Sequence, residues 1–77
     1  MRRIYVGKTM YAIFSGFGRV YVQPCKIVEI LENGFVAECH NGGEDGHRKG
    51  LEFFKNADIG DSVFFSKDSA QVNIDRM

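Results

Sequence analysis

Ile27-Val28-Glu29-Ile30-Leu31-Glu32-Asn33-Gly34-Phe35-Val36-Ala37-Glu38-Cys39-His40 is the stretch that decides the fold class. Asn33-Gly34 separates two apolar-rich runs, and both residues tolerate the positive φ of a type I′ turn, so the segment reads as a β-hairpin. A two-residue turn sets Glu32 opposite Phe35. Stepping outward, it pairs Leu31 with Val36, Ile30 with Ala37, Glu29 with Glu38, Val28 with Cys39 and Ile27 with His40. Side chains alternate along a strand, so Val28, Ile30, Phe35, Ala37 and Cys39 are expected on the core face. Ile27, Glu29, Leu31, Val36, Glu38 and His40 are expected on the other. A three-residue turn would place Glu29 among Ile27, Leu31, Phe35 and Ala37, burying a lone carboxylate at heavy cost.

Similar short runs flank the hairpin. Met10 to Phe14 closes at Ser15-Gly16-Phe17-Gly18, and Arg19 to Val22 leads through Gln23-Pro24 into Cys25 to Leu31. Pro24 cannot donate a ladder hydrogen bond, which predicts a bulge or a sheet edge there. Asn41 to Gly50 holds four glycines and no large apolar residue, and reads as a mobile loop over 41–50. Leu51 to Lys55 and Ser62 to Ser66 are two further strands, joined by Asn56 to Asp61. Short strands at this spacing predict a mainly β fold, a small highly curved antiparallel sheet or five-stranded barrel. In the tail, 67–77, Ala70, Ile74 and Met77 share a helical face behind Ser66 as N-cap, which predicts a short C-terminal helix.

The chain's 77 residues suffice for one small β domain, 1–77, with no room for a second domain or a deep interdomain cleft. Hydrophobic content of 44% and charged content of 26% are those of a globular domain. Ten Lys+Arg balance ten Asp+Glu, which argues against bulk attraction to nucleic acid. The start, Met1-Arg2-Arg3-Ile4-Tyr5-Val6, has no apolar run of signal-peptide length, and no stretch approaches the roughly 20 apolar residues of a membrane helix. Two cysteines are too few for a disulfide scaffold. The expected setting is therefore cytoplasmic, with reduced thiols and no membrane partner.

The outer face of the hairpin is the first candidate site. Ile27, Leu31 and Val36 form an aliphatic cluster there, and Glu29 facing Glu38 is an arrangement that destabilises a sheet unless a basic partner relieves it. Phe54 and Phe64 fall on the less apolar sides of their strands, beside Glu52 and beside Ser62 and Ser66. They are candidate aromatic anchors for a partner protein, or for a second copy of the chain. The competing reading has the tail, through Val72 and Ile74, covering them. The partner-binding set is thus Ile27, Glu29, Leu31, Val36, Glu38, His40, Phe54 and Phe64.

A nucleic-acid reading is the alternative, with Arg2, Arg3, Lys8, Arg48 and Lys49 as its contacts and Lys55 and Lys67 in support. Glu29, Glu38, Glu44 and Asp45 would repel phosphate. Metal chemistry finds little support. Cys25, Cys39, His40 and His47 follow the spacing Cys-x13-Cys-His-x6-His, and adjacent Cys39 and His40 point to opposite faces, so no metal and no cofactor are expected. Glu44, Asp45 and His47 lie in a glycine-rich loop that does not fix their geometry, and no nucleophile is paired with a base. The expectation is a non-enzymatic protein.

Ala57-Asp58-Ile59-Gly60-Asp61-Ser62-Val63-Phe64-Phe65-Ser66-Lys67-Asp68-Ser69-Ala70 resembles the C-terminal signature of small orphan proteins of Firmicutes and their phages, roughly D-I-G-K-x-V-F-L-T-x-E-E-A. Asp58, Ile59, Gly60, Val63, Phe64 and Ala70 match it, and Cys25 to Ile30 resembles the family's second strand. The chain departs from the signature at Asp61, at Asp68-Ser69, and at Val72 and Asn73. The resemblance implies a small β domain with a helical tail and transfers no catalytic residue. A phage or mobile-element setting implies a host-protein partner and an occluding, anti-CRISPR-like inhibitor. A basic nucleic-acid-binding effector nuclease would be its target, with carboxylates standing in for phosphates.

Overall fold

A computed structural model describes residues 4–16, 18–39 and 50–76. Strands β1 (Thr9–Gly16), β2 (Arg19–Ile30), β3 (Gly34–Cys39), β4 (Gly50–Lys55) and β5 (Val63–Phe64) form one antiparallel sheet in the order β4-β3-β2-β1-β5. A single turn of 3₁₀ helix, Asn56–Asp58, links β4 to β5, and helix α1 (Lys67–Asp75) ends the described chain. The mainly β expectation therefore holds, in its curved-sheet form: β4 and β5 remain edges and the sheet does not close.

The curvature is visible in the aromatic contacts. Three strand spacings separate β1 from β4, about 14 Å in a flat sheet. Yet the rings of Phe14 on β1 and Phe54 on β4 lie 6.4 Å apart. The concave face so enclosed holds Met10, Ala12, Cys25, Ile27, Phe35, Ala37, Cys39, Phe54 and Val63, with Ile4 closing it from the N-terminal side. Phe14, Ile30, Ile59 and Phe65 pack around its margin.

The hairpin register differs from the expected one. Ile30 pairs with Phe35 and Glu29 with Val36, while Ile27 pairs with Ala37, Lys26 with Glu38 and Cys25 with Cys39. The turn residues are Glu32 and Asn33, closed by the Leu31 N–H donating to the Gly34 carbonyl at 2.8 Å. Gly34 does not take a positive φ; it enters the ladder opposite Lys55 of β4. The cause is β4, which the hairpin alone cannot foresee. Phe54 stacks on Phe35 with centroids 5.4 Å apart, and Asn56 donates from its backbone to Asn33 and from its side chain to Glu32. These contacts hold the loop one residue earlier than Asn33-Gly34 would.

The register shifts again between Ile27 and Glu29, where Val28 and Glu29 together oppose Val36. Such a bulge turns Ile27 and Ile30 to the same face although three positions separate them. Ile27 is consequently core rather than surface, and Val28 is surface rather than core. Pro24 carries no bulge. It pairs with Tyr11 of β1 and lies just beyond the last β3 pairing, at Cys25, so its other flank meets no strand among the described residues. The residue that continues β3 past Cys39, His40, lies outside the described residues.

The terminal helix forms as expected. Ser66 accepts from the Ser69 N–H at 3.1 Å as N-cap, and Ala70 is fully buried. Because Val63 points into the concave core opposite Ala12, Phe64 opposite Tyr11 points to the convex side. There Phe64 is buried together with Ala70, outside the main core cluster, and α1 packs on β1, β2 and β5.

Candidate functional site

The candidate site is the convex surface of β2, β3 and β4, and its composition follows from register. Alternation from the buried Phe35, Ala37 and Cys39 leaves Gly34, Val36 and Glu38 facing outward on β3. Their β4 partners are Lys55, Phe53 and Leu51 in turn. On β2 the bulge delivers Val28 and Glu29 beside Val36, and Lys26 stands across from Glu38. One row therefore reads Glu29/Val28, Val36, Phe53, and the next reads Lys26, Glu38, Leu51. Leu51 is 66% exposed, Phe53 45% and Val28 40%. Exposed apolar residues grouped this closely are what distinguish a contact surface from the scattered ones of an ordinary exterior.

Gly34 shapes the centre of this surface. A Cβ at Gly34 would lie 2.9 Å from Phe53 Cζ and 3.0 Å from Lys55 Cα, and would collide with the Phe54 carbonyl oxygen. The missing side chain lets the Phe53 ring lie down across β3, an aromatic covering a strand glycine. Phe53 is thereby held as a flat, partly exposed platform rather than a free side chain.

The expected partner-binding residues divide between this surface and the interior. Glu29 and Glu38 are exposed, and Leu31 and Val36 are half-buried. The two carboxylates share the face but are not opposite each other. Glu29 pairs with Val36 and Glu38 with Lys26, so they stand on a diagonal with a lysine beside one of them. The like-charge repulsion expected from direct opposition is therefore relaxed within the sheet. Ile27 is fully buried, and Phe54 and Phe64 are each only 7% exposed, so these three cannot contact a partner. Phe54 belongs to the concave core through Phe35, and Phe64 lies under α1 as the competing reading supposed. Self-association through Phe54 and Phe64 falls with them. His40 lies outside the described residues.

The nucleic-acid set fares differently. Arg2, Arg3, Arg48 and Lys49 lie outside the described residues. Lys8 is half-buried, with its ammonium 5.3 Å from the Tyr5 ring centroid and 5.4 Å from that of Phe65. A cation held between two aromatic faces is already partnered. Lys55 and Lys67 are exposed.

Of the candidate metal ligands, Cys25 and Cys39 are buried free thiols facing each other across β2 and β3. The Cys25 thiol is pushed far above its ordinary range, first by its hydrogen bond to Cys39, then by burial and by the charges of Cys39 and Glu52. His47, like Glu44 and Asp45, lies outside the described residues. Among the described residues no group of three or more His, Cys, Asp or Glu is placed to hold a metal ion, and no helix is long and apolar enough to cross a membrane. A shallow groove of about 390 Å³ runs between α1 and the turn before β5, lined by Gly60, Phe64, Asp68, Ser69, Val72, Asn73 and Arg76. Asp68, Ser69 and Arg76 are exposed and Asn73 half-buried, and none of them fixes a ligand geometry.

Sequence reasoning missed Val28, Leu51 and Phe53. Two signals could have found them. In Ile27-Val28-Glu29-Ile30, two isoleucines three apart around an acid fit one face only if a bulge intervenes. In Phe53-Phe54, one ring must face outward, and the partner of Phe35 decides which. Comparison with family models, with curated proteins and with solved structures brings no match.

Proposed function

We propose that this chain is a non-enzymatic protein-binding module that docks through the convex face of β2, β3 and β4. The observation that carries the reading is the apolar ridge of Val28, Phe53 and Leu51, three exposed apolar residues brought together on neighbouring strands of one face, whereas Tyr5, Val6, Val20 and Val72 are exposed off that ridge. Phe53 serves as the central anchor, since flat aromatic groups at the middle of a patch contribute most to association. Glu29 and Glu38 border the ridge and set the partner's chemistry: a surface presenting apolar groups between basic ones. In a phage or mobile-element setting the partner we assign is a basic, nucleic-acid-binding host protein, an effector nuclease whose groove the module occludes.

The test is affinity capture from source cells with mass spectrometry, using the wild-type chain, Leu51→Asp/Phe53→Asp and Glu29→Lys/Glu38→Lys. Unchanged melting temperatures establish that the variants fold. The expected result is a basic nucleic-acid-binding protein retained by the wild type, lost with the first variant and reduced with the second. Nuclease activity of the purified partner should then fall on adding wild-type chain. Capture at full strength by both variants removes this face as the docking surface. The nucleic-acid alternative is decided by gel shift with mixed DNA and RNA: phosphate-driven binding must weaken steeply with salt, and no shift at low salt removes it.

A further inference from the structure

The cysteine pair plays no part in the proposed docking, and its placement has a consequence of its own. Cys25 and Cys39 are direct cross-strand partners on the concave face, both fully buried and neither in a disulfide. Directly opposed residues of an antiparallel pair have Cα atoms about 4.5–5.5 Å apart. A disulfide accepts Cα separations of about 4.4–6.8 Å. The ladder itself therefore brings the two sulfurs within bonding reach, with no strand movement required.

We propose that Cys25 and Cys39 form a reversible cross-strand disulfide when the folded chain meets a hydroperoxide, making the end of the β2–β3 hairpin a redox-modified site. The order of events follows from the surroundings of the two thiols. Both sulfurs are buried within paired strands, Cys25 between β1 and β3 and Cys39 between β2 and β4, so the oxidant reaches them on local opening of the hairpin. The Cys25 thiol donates toward the Gln23 carbonyl at 3.7 Å and keeps its proton. Cys39 reacts first. Its sulfur attacks the peroxide, the O–O bond breaks, an S–O bond forms, and the displaced hydroxide leaves as water with the Cys39 proton. The Cys25 sulfur then attacks the Cys39 sulfenic acid. An S–S bond forms as the S–O bond breaks, and the hydroxyl departs as a second water with the Cys25 proton. Two thiols supply two electrons, and one hydroperoxide is reduced.

The bridge would close a loop containing the Val28 bulge, Glu29, Val36 and Glu38, so oxidation stiffens the convex face from beneath. The inference does not depend on that face having a partner. It is tested on the full chain at neutral pH with hydrogen peroxide, followed by intact-mass measurement and peptide mapping. A monomer lighter by about 2 Da, linked Cys25 to Cys39, melting higher than the reduced chain and restored by dithiothreitol, is the expected result. In Cys25→Ser, dimedone should trap a sulfenic acid at Cys39. In Cys39→Ser, oxidation at Cys25 should be slower by at least about tenfold. The same oxidant is applied to the chain unfolded in urea. A chain that links when unfolded and stays reduced when folded overturns the proposal. So do intermolecular dimers, oxygen addition without linkage, or a linked form that melts lower than the reduced one.

Discussion

Replacing Gly34 tests the packing of β3 against β4 and the candidate site in one experiment. A methyl group at this position meets the Phe54 carbonyl oxygen, the Phe53 ring edge at 2.9 Å and the Lys55 Cα at 3.0 Å. A ring can rotate away, but two of the three neighbours are backbone, so β4 itself must move. Overpacking of this kind costs about 1–3 kcal/mol, and a backbone obstacle puts Gly34→Ala in the upper half of that range. For a domain of this size each kcal/mol shifts the melting temperature by about 4–8 °C, so a fall of roughly 10–20 °C is expected. The total stability of 77 residues is about 4–12 kcal/mol. The substitution therefore removes a large share of it without necessarily unfolding the chain.

The assay pairs urea and thermal unfolding with amide exchange, in which β4 amides should lose protection before those of β1 and β2. Gly34→Asn discriminates the mechanism. Were Gly34 a turn residue of positive φ, asparagine would be tolerated better than alanine. With close approach as the cause, asparagine costs at least as much as alanine. Gly18 is the internal control, with φ +78° and open space around it, and there asparagine should be the milder change. A loss below about 0.5 kcal/mol for Gly34→Ala, the level of an ordinary surface substitution, would refute the argument. So would a Gly34→Asn chain more stable than Gly34→Ala.

Three further outcomes follow from the same geometry. Phe54→Ala should cost about 3–5 kcal/mol in urea unfolding, because the ring is buried between Phe35 and Phe14; a loss under about 1 kcal/mol would mean that the concave face is not closed as described. Val28→Lys should leave stability within about 0.5 kcal/mol, whereas Ile27→Lys should prevent folding at 25 °C by burying an unpaired ammonium. The reverse ranking, read by circular dichroism, would restore the register without a bulge. Ser66→Ala should lose about 1 kcal/mol through its N-cap bond to Ser69 while Ser66→Asp stays near wild type; equal melting temperatures for all three would remove the cap as a stabilising element.

What was legible in the chain is what local chemistry decides. Glycine-bounded β runs located the strands to within a few residues, and Ser66 marked the start of α1 because an N-cap needs only its own next turn. The sheet register was not legible from the hairpin, since it is settled by residues about 20 positions away. Asn33-Gly34 carries a strong local turn preference, yet the stacking of Phe54 on Phe35 and the two Asn56 hydrogen bonds move the turn to Glu32-Asn33. Gly34 then serves a different purpose, close approach of β4 instead of a positive φ. The parity errors have two origins. The bulge at Val28 turns Ile27 inward and Val28 outward, while the pairing of Phe54 with the buried Phe35, and not the composition of β4 itself, puts Phe54 inside and Phe53 outside. Glu29 and Glu38 were rightly placed outside, because taking a carboxylate out of water costs far more than leaving it exposed.

The surface left open over β3 and β4 is a matter of dimensions. Four strand spacings of about 4.8 Å make the sheet about 19 Å wide, before curvature. Helix α1, nine residues long, extends about 14 Å and is about 10 Å across. Lying over β5, β1 and β2, it spends its width there and shields Phe64 and Ala70. The concave side needs Phe54 to meet Phe14, and alternation then forces Phe53 and Leu51 onto the convex side beyond the helix. Folding thus dictates where those two side chains point but not what they are. Threonine or lysine at 51 and 53 would keep the same strand, as Lys55 does at the next outward position. The uncovered parts of Leu51 and Phe53 contribute little to the isolated domain and lower its solubility. They become favourable only when something apolar covers them, and that asymmetry is the physical ground for reading this face as a docking surface.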